Sequence, residues 1–469
     1  MPSPVWKIKP ALDAPSAGVW LGPGAGNPTD GVWLGALAEA GPSRVPKIWL
    51  STKKEQVIAV VGKRGSGKSF TLGVIGEGLA LNSPQPNVAR QTRSRATLLF
   101  DPLDIYWTTR FPVGPSENPE ANRHYQLART NELAGLEFNV EAWIPGTSNQ
   151  RAGDPEWFNL LQLPVPALGL EEWEILLGVN VLNEPIGQAL ADALNLVKAI
   201  GYQRRGILTP PTAIFDLTNL VDALQSDDLI NTYHAETLRA LRQRLTSLTA
   251  TGLFSSTGTT IPNLLSPGRL SVILLGRLPQ SYRSAIVAVV TRMLIENRTN
   301  VAFAEKRLAL DPTLSVEERN ELEAVANSGA PRTIVALDEA QSFLAPGIQG
   351  PSRNLFVRLV KEGRNIGLSA VLATQQPSAI DQRVLSQVET FITHQLVTEP
   401  DIRAVRENIK SSLPEGIEYG RQSLDIAGLL RQLPPGQCLV STADMNTNIR
   451  RCLVINVRPR ATIHGGIEL

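Results

Sequence analysis

Five short apolar runs recur along the chain, Val57–Val61, Thr97–Phe100, Leu270–Leu275, Thr333–Leu337 and Ala370–Ala373. Each has the length of a strand buried on both faces, the way strands of a parallel sheet read. Phe391–Leu396 is a sixth candidate. Helical patterns follow several of them, over Lys68–Leu81 and Tyr282–Asn297. This alternation predicts an α/β fold with a central, mainly parallel sheet and helices on both faces.

More residues separate the second and third runs than a crossover needs. Ile186, Leu190, Leu194 and Val197 recur at helical spacing, as do Leu238, Leu241, Leu245 and Leu248. The segment therefore predicts a mainly helical insertion, punctuated by loops at Pro164–Gly169 and Gly206–Pro211. A second, charged insertion spans Glu305–Ala330, with a helix start at Ser315-Val-Glu-Glu. The first 46 residues are rich in Gly, Pro and Ala and contain GVWLG twice, at Gly18–Gly22 and Gly31–Gly35. They read as a short β-rich N-terminal lobe packed by Trp20 and Trp33. The expected division is a lobe over 1–46, core over 47–110, helical insertion over 111–262, core again over 263–456 and a C-terminal brace over 457–469.

Composition narrows the picture. Apolar residues make up 42% of the 469 and charged residues 19%, enough apolar surface for a large globular core. Lys and Arg total 45 against 44 Asp and Glu, so no global charge marks a dedicated polyanion binder and any such site is local. Cys438 and Cys452 form no CxxC pair and the four histidines are scattered, which argues against a zinc or disulfide framework. The absence of a leader pattern and of a long apolar run leads to the expectation of a cytoplasmic protein without a membrane segment.

Chemistry enters at Gly62-Lys-Arg-Gly-Ser-Gly-Lys-Ser69, which fits GxxxxGK[ST] directly after an apolar strand and at a helix start. Glycines there let backbone N–H groups turn inward around phosphates. Lys68 reaches the β and γ oxygens, and the Ser69 hydroxyl suits Mg²⁺. Gly62, Lys63, Arg64, Gly65, Ser66, Gly67, Lys68, Ser69 and the following Phe70 are thus the candidate ATP-binding loop of a P-loop ATPase. The run Thr333–Leu337 ends in Asp338 and Glu339. A pair of carboxylates at a strand end often just opens a helix. Together with the loop at Gly62, Asp338 reads as the Mg²⁺ carboxylate and Glu339 as the group that orients attacking water. Gln375, after the run Ala370–Ala373, is a candidate sensor of the γ-phosphate and the water. The lesser alternative is that Gln375 and Gln376 merely satisfy their own loop. Arg364 falls near a helix C-terminus, where a cation complements the dipole; alternatively it is an arginine finger acting on a neighbouring subunit's site.

These residues sit in a longer series: GKRGSGKS at Gly62–Ser69, FDPLDIY at Phe100–Tyr106, LLSPGRLSVILLGRL at Leu264–Leu278, VALDEAQSFL at Val335–Leu344, EGRNIGLSAVLATQQPSAID at Glu362–Asp381, LPPGQCLV at Leu433–Val440 and VRPRATIHGG at Val457–Gly466. In this order, over roughly residues 47–466, the chain resembles the HerA branch of the HerA/FtsK ring-forming DNA-translocating ATPases. The resemblance implies a RecA-like core, a homohexamer around double-stranded DNA, ATP and Mg²⁺ bound between subunits, and Arg364 acting in trans. It implies Asp101 as an accessory acidic residue near the metal, where the residues alone read as a strand cap. It also implies a brace that passes close to a neighbouring nucleotide site. The sequence departs from the family at Gln376, where arginine is common, at Leu103-Asp104, where a Gly-Glu pair is common, and in its short N-terminal lobe, read as an abbreviated or replaced barrel.

No nuclease motif is visible, so the leading expectation is a DNA translocase or helicase working with a separate nuclease or defence effector. The alternative is an ATP-gated hexameric scaffold that assembles and regulates such an effector with little translocation. For DNA contact, Arg204 and Arg205 beside Tyr202 form a basic-aromatic loop, whereas Arg239, Arg242 and Arg244 read as a solvated helix face.

Overall fold

The computed structural model describes residues 4–5, 18–24, 29–38, 47–81, 88–90, 95–348, 350–409, 417–419, 422–444 and 449–466. Parts of the expected N-terminal lobe and residues 467–469 of the expected brace lie outside this set.

Fourteen strands form one sheet. In chain order they are β1 (Val19–Leu21), β2 (Gly31–Leu37), β3 (Lys47–Ser51), β4 (Val57–Val61), β5 (Ala89–Arg90), β6 (Ala96–Asp101), β7 (Val140–Pro145), β8 (Asn159–Leu161), β9 (Leu270–Leu274), β10 (Thr333–Leu337), β11 (Leu368–Thr374), β12 (Thr390–Thr393), β13 (Gln437–Asp444) and β14 (Ile449–Val457). Their spatial order is β1-β3-β2-β14-β13-β12-β4-β11-β10-β6-β9-β7-β8, with β5 paired to β2. From β12 to β8 every neighbouring pair is parallel. From β12 through β13, β14 and β2 to β3 the pairs are antiparallel.

Period-two alternation explains why the parallel strands read as unbroken apolar runs. Ala59, Val61, Leu98, Phe100, Val335 and Leu337 enter the hydrophobic cluster on one face. Ile58, Val60, Leu99, Ile334 and Ala336 enter the cluster on the other. Both faces are dry, so no polar alternation survives.

Two expected divisions look different in the fold. The GVWLG repeats do form strands, but β1 and β2 both pair with β3 and so extend the main sheet. Trp20 and Trp49 stack at 5.4 Å across β1 and β3, and burial of these rings anchors that edge. The insertion over 111–262 is mainly helical, yet it supplies β7 and β8 to the opposite edge. β7 joins the sheet through β9, over a hundred residues away and beyond the reach of local periodicity, and β8 pairs with β7.

Helix α1 (Lys68–Leu79) follows β4, and α2 (Pro119–Thr130) precedes β7. Helix α3 runs Gln280–Leu310, well past the expected end at Asn297. Helix α4 (Val316–Ser328) starts where expected: Ser315 Oγ accepts from the Glu318 N–H at 3.2 Å, and Glu318 accepts from the Ser315 N–H at 2.9 Å. Helix α5 (Ser352–Ile366) leads into β11.

Candidate nucleotide site

The loop between β4 and α1 lies at the C-terminal ends of the parallel strands. Gly65 and Gly67 have φ of +74° and +106°, a conformation that costs glycine little. Gly62 is required for a different reason: a Cβ there would come within 2.7 Å of His394 Cβ. The loop is tied to its neighbours by Gly62 N–H donating to Thr374 O at 3.2 Å and Lys63 N–H donating to Gln395 O at 2.8 Å.

Lys68 is buried, and its ammonium donates to Asp338 Oδ1 at 2.7 Å and Glu339 Oε1 at 2.9 Å. Burial would lower the Lys68 pKa, but the two carboxylates outweigh it and hold it above the ordinary lysine value. Burial alone would raise Glu339; the Lys68 charge and the Gln375 amide override it and keep the carboxyl below its usual range. Ser69 Oγ donates to Asp338 Oδ2 at 3.3 Å. Gln375 Nε2 donates to Glu339 Oε1 at 2.7 Å, and Gln341 Nε2 donates to Glu339 Oε2 at 2.5 Å. Lys68, Ser69, Asp338, Glu339 and Gln375, spread over more than three hundred residues of sequence, therefore meet within hydrogen-bonding distance.

Glu339 itself has φ +49°, rare for a residue with a side chain. It sits directly after β10, where the chain must turn while the carboxylate faces the loop. Such strain concentrates at functional positions.

Asp101 ends β6 and is fully buried. Its carboxylate accepts from the N–H groups of Leu103 at 3.1 Å, Ile105 at 2.7 Å and Tyr106 at 2.8 Å. Burial pushes its pKa up to about 8 despite those amides. Asp101 thus shapes the loop after β6, as a strand cap does, and Tyr106, held by that loop, donates its hydroxyl to Asp338 Oδ2 at 2.8 Å. Arg364 does not join this group. It is exposed in the last turn of α5, at the N-terminal ends of the strands, and has no carboxylate partner among the described residues.

Sequence reasoning assigned no role to Tyr106, Gln341 or His394. Tyr106 ends the FDPLDIY motif and Gln341 follows the acidic pair, so both stood beside recognised signals. His394 had none. It is buried against the loop, with Nε2 2.9 Å from Thr71 Oγ1 and Nδ1 3.0 Å from Gln437 O, and burial lowers its pKa to about 4.

A cavity of about 980 Å³ opens beside the loop, lined by Lys63–Gly65, Gly67–Thr71, Glu339, Gln375 and residues from α2 and the segment 457–466. Residues 457–466 are fixed to α1: Arg458 and Arg460 both donate to the buried Glu77, at 2.6 and 3.2 Å. The segment therefore packs on its own chain's loop helix.

The profile of the family described as "Helicase HerA, central domain" matches residues 43–294, more than half of the chain. The chain belongs to the HerA family. Among curated relatives, it is 24% identical over 181 residues to the DNA double-strand break repair helicase HerA of Pyrococcus furiosus, covering 36% of this chain and 32% of that protein. It is 33% identical over 76 residues to a probable helicase of Methanocaldococcus jannaschii, covering 16% and 15%. The alignment to the first of these HerA relatives thus spans about a third of its length. Among solved structures, VirB4 of Thermoanaerobacter pseudethanolicus superimposes with a TM-score of 0.51 at 14% identity, over 92% of this chain and 97% of that one. This HerA-family chain therefore has the RecA-like P-loop ATPase fold. No helix among the described residues is long and apolar enough to cross a membrane.

Proposed function

We infer that the chain binds ATP with Mg²⁺ on Gly62–Phe70 and hydrolyses it, and that hydrolysis drives translocation on double-stranded DNA. The observation that carries this reading is the convergence of Lys68, Ser69, Asp338, Glu339 and Gln375 at the strand ends. A hydroxyl and one carboxylate are oxygen donors suited to a hard divalent cation, and among the described residues no cluster of three His, Cys, Asp or Glu would hold a metal by itself. That set fits Mg²⁺ shared with substrate phosphates, held by Ser69 and Asp338. When bound, the ion neutralises charge on the phosphates.

The protein's own groups divide the remaining work. The Lys68 ammonium, kept charged by its carboxylate neighbours, exchanges them for phosphate oxygens. Glu339, kept ionised and fixed through both oxygens by Gln375 and Gln341, accepts a hydrogen bond from the attacking water and orients it. Gln375 touches Glu339, so it can report phosphate occupancy to the water-binding carboxylate. A loose phosphoryl-transfer transition state needs such positioning more than strong basicity.

The finer reading follows the family. The chain forms a homohexamer in the cytoplasm, Arg364 completes the adjacent subunit's site, and a separate nuclease or defence effector acts with the ring. The exposure of Arg364 at the strand ends opposite its own loop supports a role in trans, because the length of β11 keeps it out of its own site. In contrast, Arg204 offers little for DNA: it is ion-paired with Asp222, which also accepts from Tyr202 at 3.0 Å. Arg244 donates to Leu177 O at 2.7 Å.

The test is ATP turnover with and without duplex DNA across a salt series, with subunit mixing as a second arm. Stimulation by DNA that weakens steeply with salt is expected. Arg364→Ala and Lys68→Ala, each inactive alone, are expected to regain turnover when mixed. Turnover indifferent to DNA removes the translocase reading, and no rescue at any mixing ratio removes the role of Arg364 in trans.

A further inference from the structure

Among the described residues Asp338 receives four donors, two on each carboxylate oxygen. Oδ1 accepts from the Lys68 ammonium at 2.7 Å and from the Glu339 N–H at 2.8 Å. Oδ2 accepts from the Ser69 hydroxyl at 3.3 Å and from the Tyr106 hydroxyl at 2.8 Å. Nucleotide binding draws two of these away, because Lys68 turns to the phosphates and Ser69 to the ion. The Glu339 N–H and the Tyr106 hydroxyl remain, one on each oxygen, and together they stop the carboxylate from rotating.

A phenol suits this position. It is uncharged, so it fixes the carboxylate without competing with a cation for it, as a second ammonium or guanidinium would. A donor behind a metal-binding carboxylate sets its orientation, and loss of such a partner typically weakens metal binding about 10- to 100-fold.

Tyr106 is itself held from two sides. It opens a short 3₁₀ turn, Tyr106–Arg110, and its ring is buried in the core. The ring fills space as a phenylalanine would; the hydroxyl is the part that reaches the site. On one side the Asp101 carboxylate holds the N–H groups of Leu103, Ile105 and Tyr106. On the other, the C-terminal segment is stitched to the same turn: Thr108 Oγ1 donates to Ile463 O at 3.0 Å, and Arg460 donates to Thr109 Oγ1 at 2.7 Å. Gly465 permits that approach, since a Cβ there would stand 2.3 Å from Ile105 O.

We propose that Tyr106 is a positioning residue for the Mg²⁺ carboxylate: its hydroxyl locks Asp338 Oδ2, so that the ion meets one fixed orientation when nucleotide displaces Lys68. The proposal rests on the assignment of Mg²⁺ to Ser69 and Asp338 above. It also gives residues 457–466 a task in their own chain, because they hold the turn that carries Tyr106.

The test measures equilibrium binding of adenylyl imidodiphosphate, an ATP analogue with nitrogen bridging the β and γ phosphorus atoms, to the full chain and to Tyr106→Phe. Binding is followed in EDTA and across a Mg²⁺ series. Wild type is expected to bind more tightly once Mg²⁺ is present. Tyr106→Phe is expected to need at least about tenfold more Mg²⁺ for half of that gain, while its affinity in EDTA stays within about twofold of wild type. An unchanged Mg²⁺ requirement in Tyr106→Phe overturns the role. So does an equal loss of affinity with and without the ion, the mark of a tyrosine that only supports the fold. Wild-type binding that ignores Mg²⁺ overturns the assignment of the ion to Ser69 and Asp338, and this proposal with it. Failure of wild type to bind under any condition overturns the nucleotide reading itself.

Discussion

His394 shows how a single buried side chain can govern a loop. Its Cβ lies 2.7 Å from where a Cβ at Gly62 would stand, and its ring holds Thr71 in α1, so the histidine and the glycine constrain each other. Its folded pKa, about 4, lies below the ordinary 6.5, because burial disfavours the charged imidazole. As pH falls from 6.5 toward 4 the unfolded chain takes up this proton and the folded one does not, so stability is lost in that window. Asp101, pushed up to about 8, acts with the opposite sign over a partly overlapping range, so a comparison is needed to isolate His394. Relative to His394→Gln, the wild type is expected to lose up to about 3 kcal/mol between pH 6.5 and 4 in urea unfolding. A difference that stays flat across this range would contradict a neutral buried imidazole. Lys68, Ser69, Asp338 and Gln375 were legible in the sequence because each follows an apolar run that fixes where it emerges. The positive φ of Glu339 was not, since strain of about 1–3 kcal/mol is imposed by surrounding contacts and leaves no mark in residue type.

At the scale of elements, the tie between α1 and residues 457–466 is the most exacting. Glu77 is fully buried and its two oxygens receive Arg458, Arg460 and both the N–H and the hydroxyl of Thr462. Gly73 lets this happen, because a Cβ there would meet the Arg460 guanidinium at 2.5 Å. Glu77→Ala strands two buried guanidinium groups and is expected to lower stability by about 3–5 kcal/mol, read by urea unfolding. A loss below about 1 kcal/mol would show that the cluster is solvated or rearranged. None of this was visible locally; a glutamate in a helix and two arginines flanking a single proline each look like surface residues. Strands β4, β6, β9, β10 and β11 were legible since burial on both faces leaves unbroken apolar runs. The roles of β1, β2, β7 and β8 as edges of the same sheet were not, because pairing at long sequence separation is decided by the whole layer.

For the whole molecule, the sheet explains the division of labour. The parallel strands end together at one edge, which gathers the phosphate loop, the acidic pair and Gln375, and the antiparallel extension brings β14 back so that residues 457–466 reach α1. Arg364 emerges before β11, at the opposite ends of the strands from its own phosphate loop. The central claim is that Gly62–Ser69 and the Asp338–Glu339 pair form one hydrolytic site, with grip and water-orienting duties on different residues. Glu339→Gln separates the two most directly, because it keeps the shape and the Gln375 contact region while removing the charge. Measured side by side, this variant is expected to bind ATP within about threefold of wild type and to hydrolyse it at least about a hundredfold more slowly. Undiminished turnover in Glu339→Gln would contradict the account.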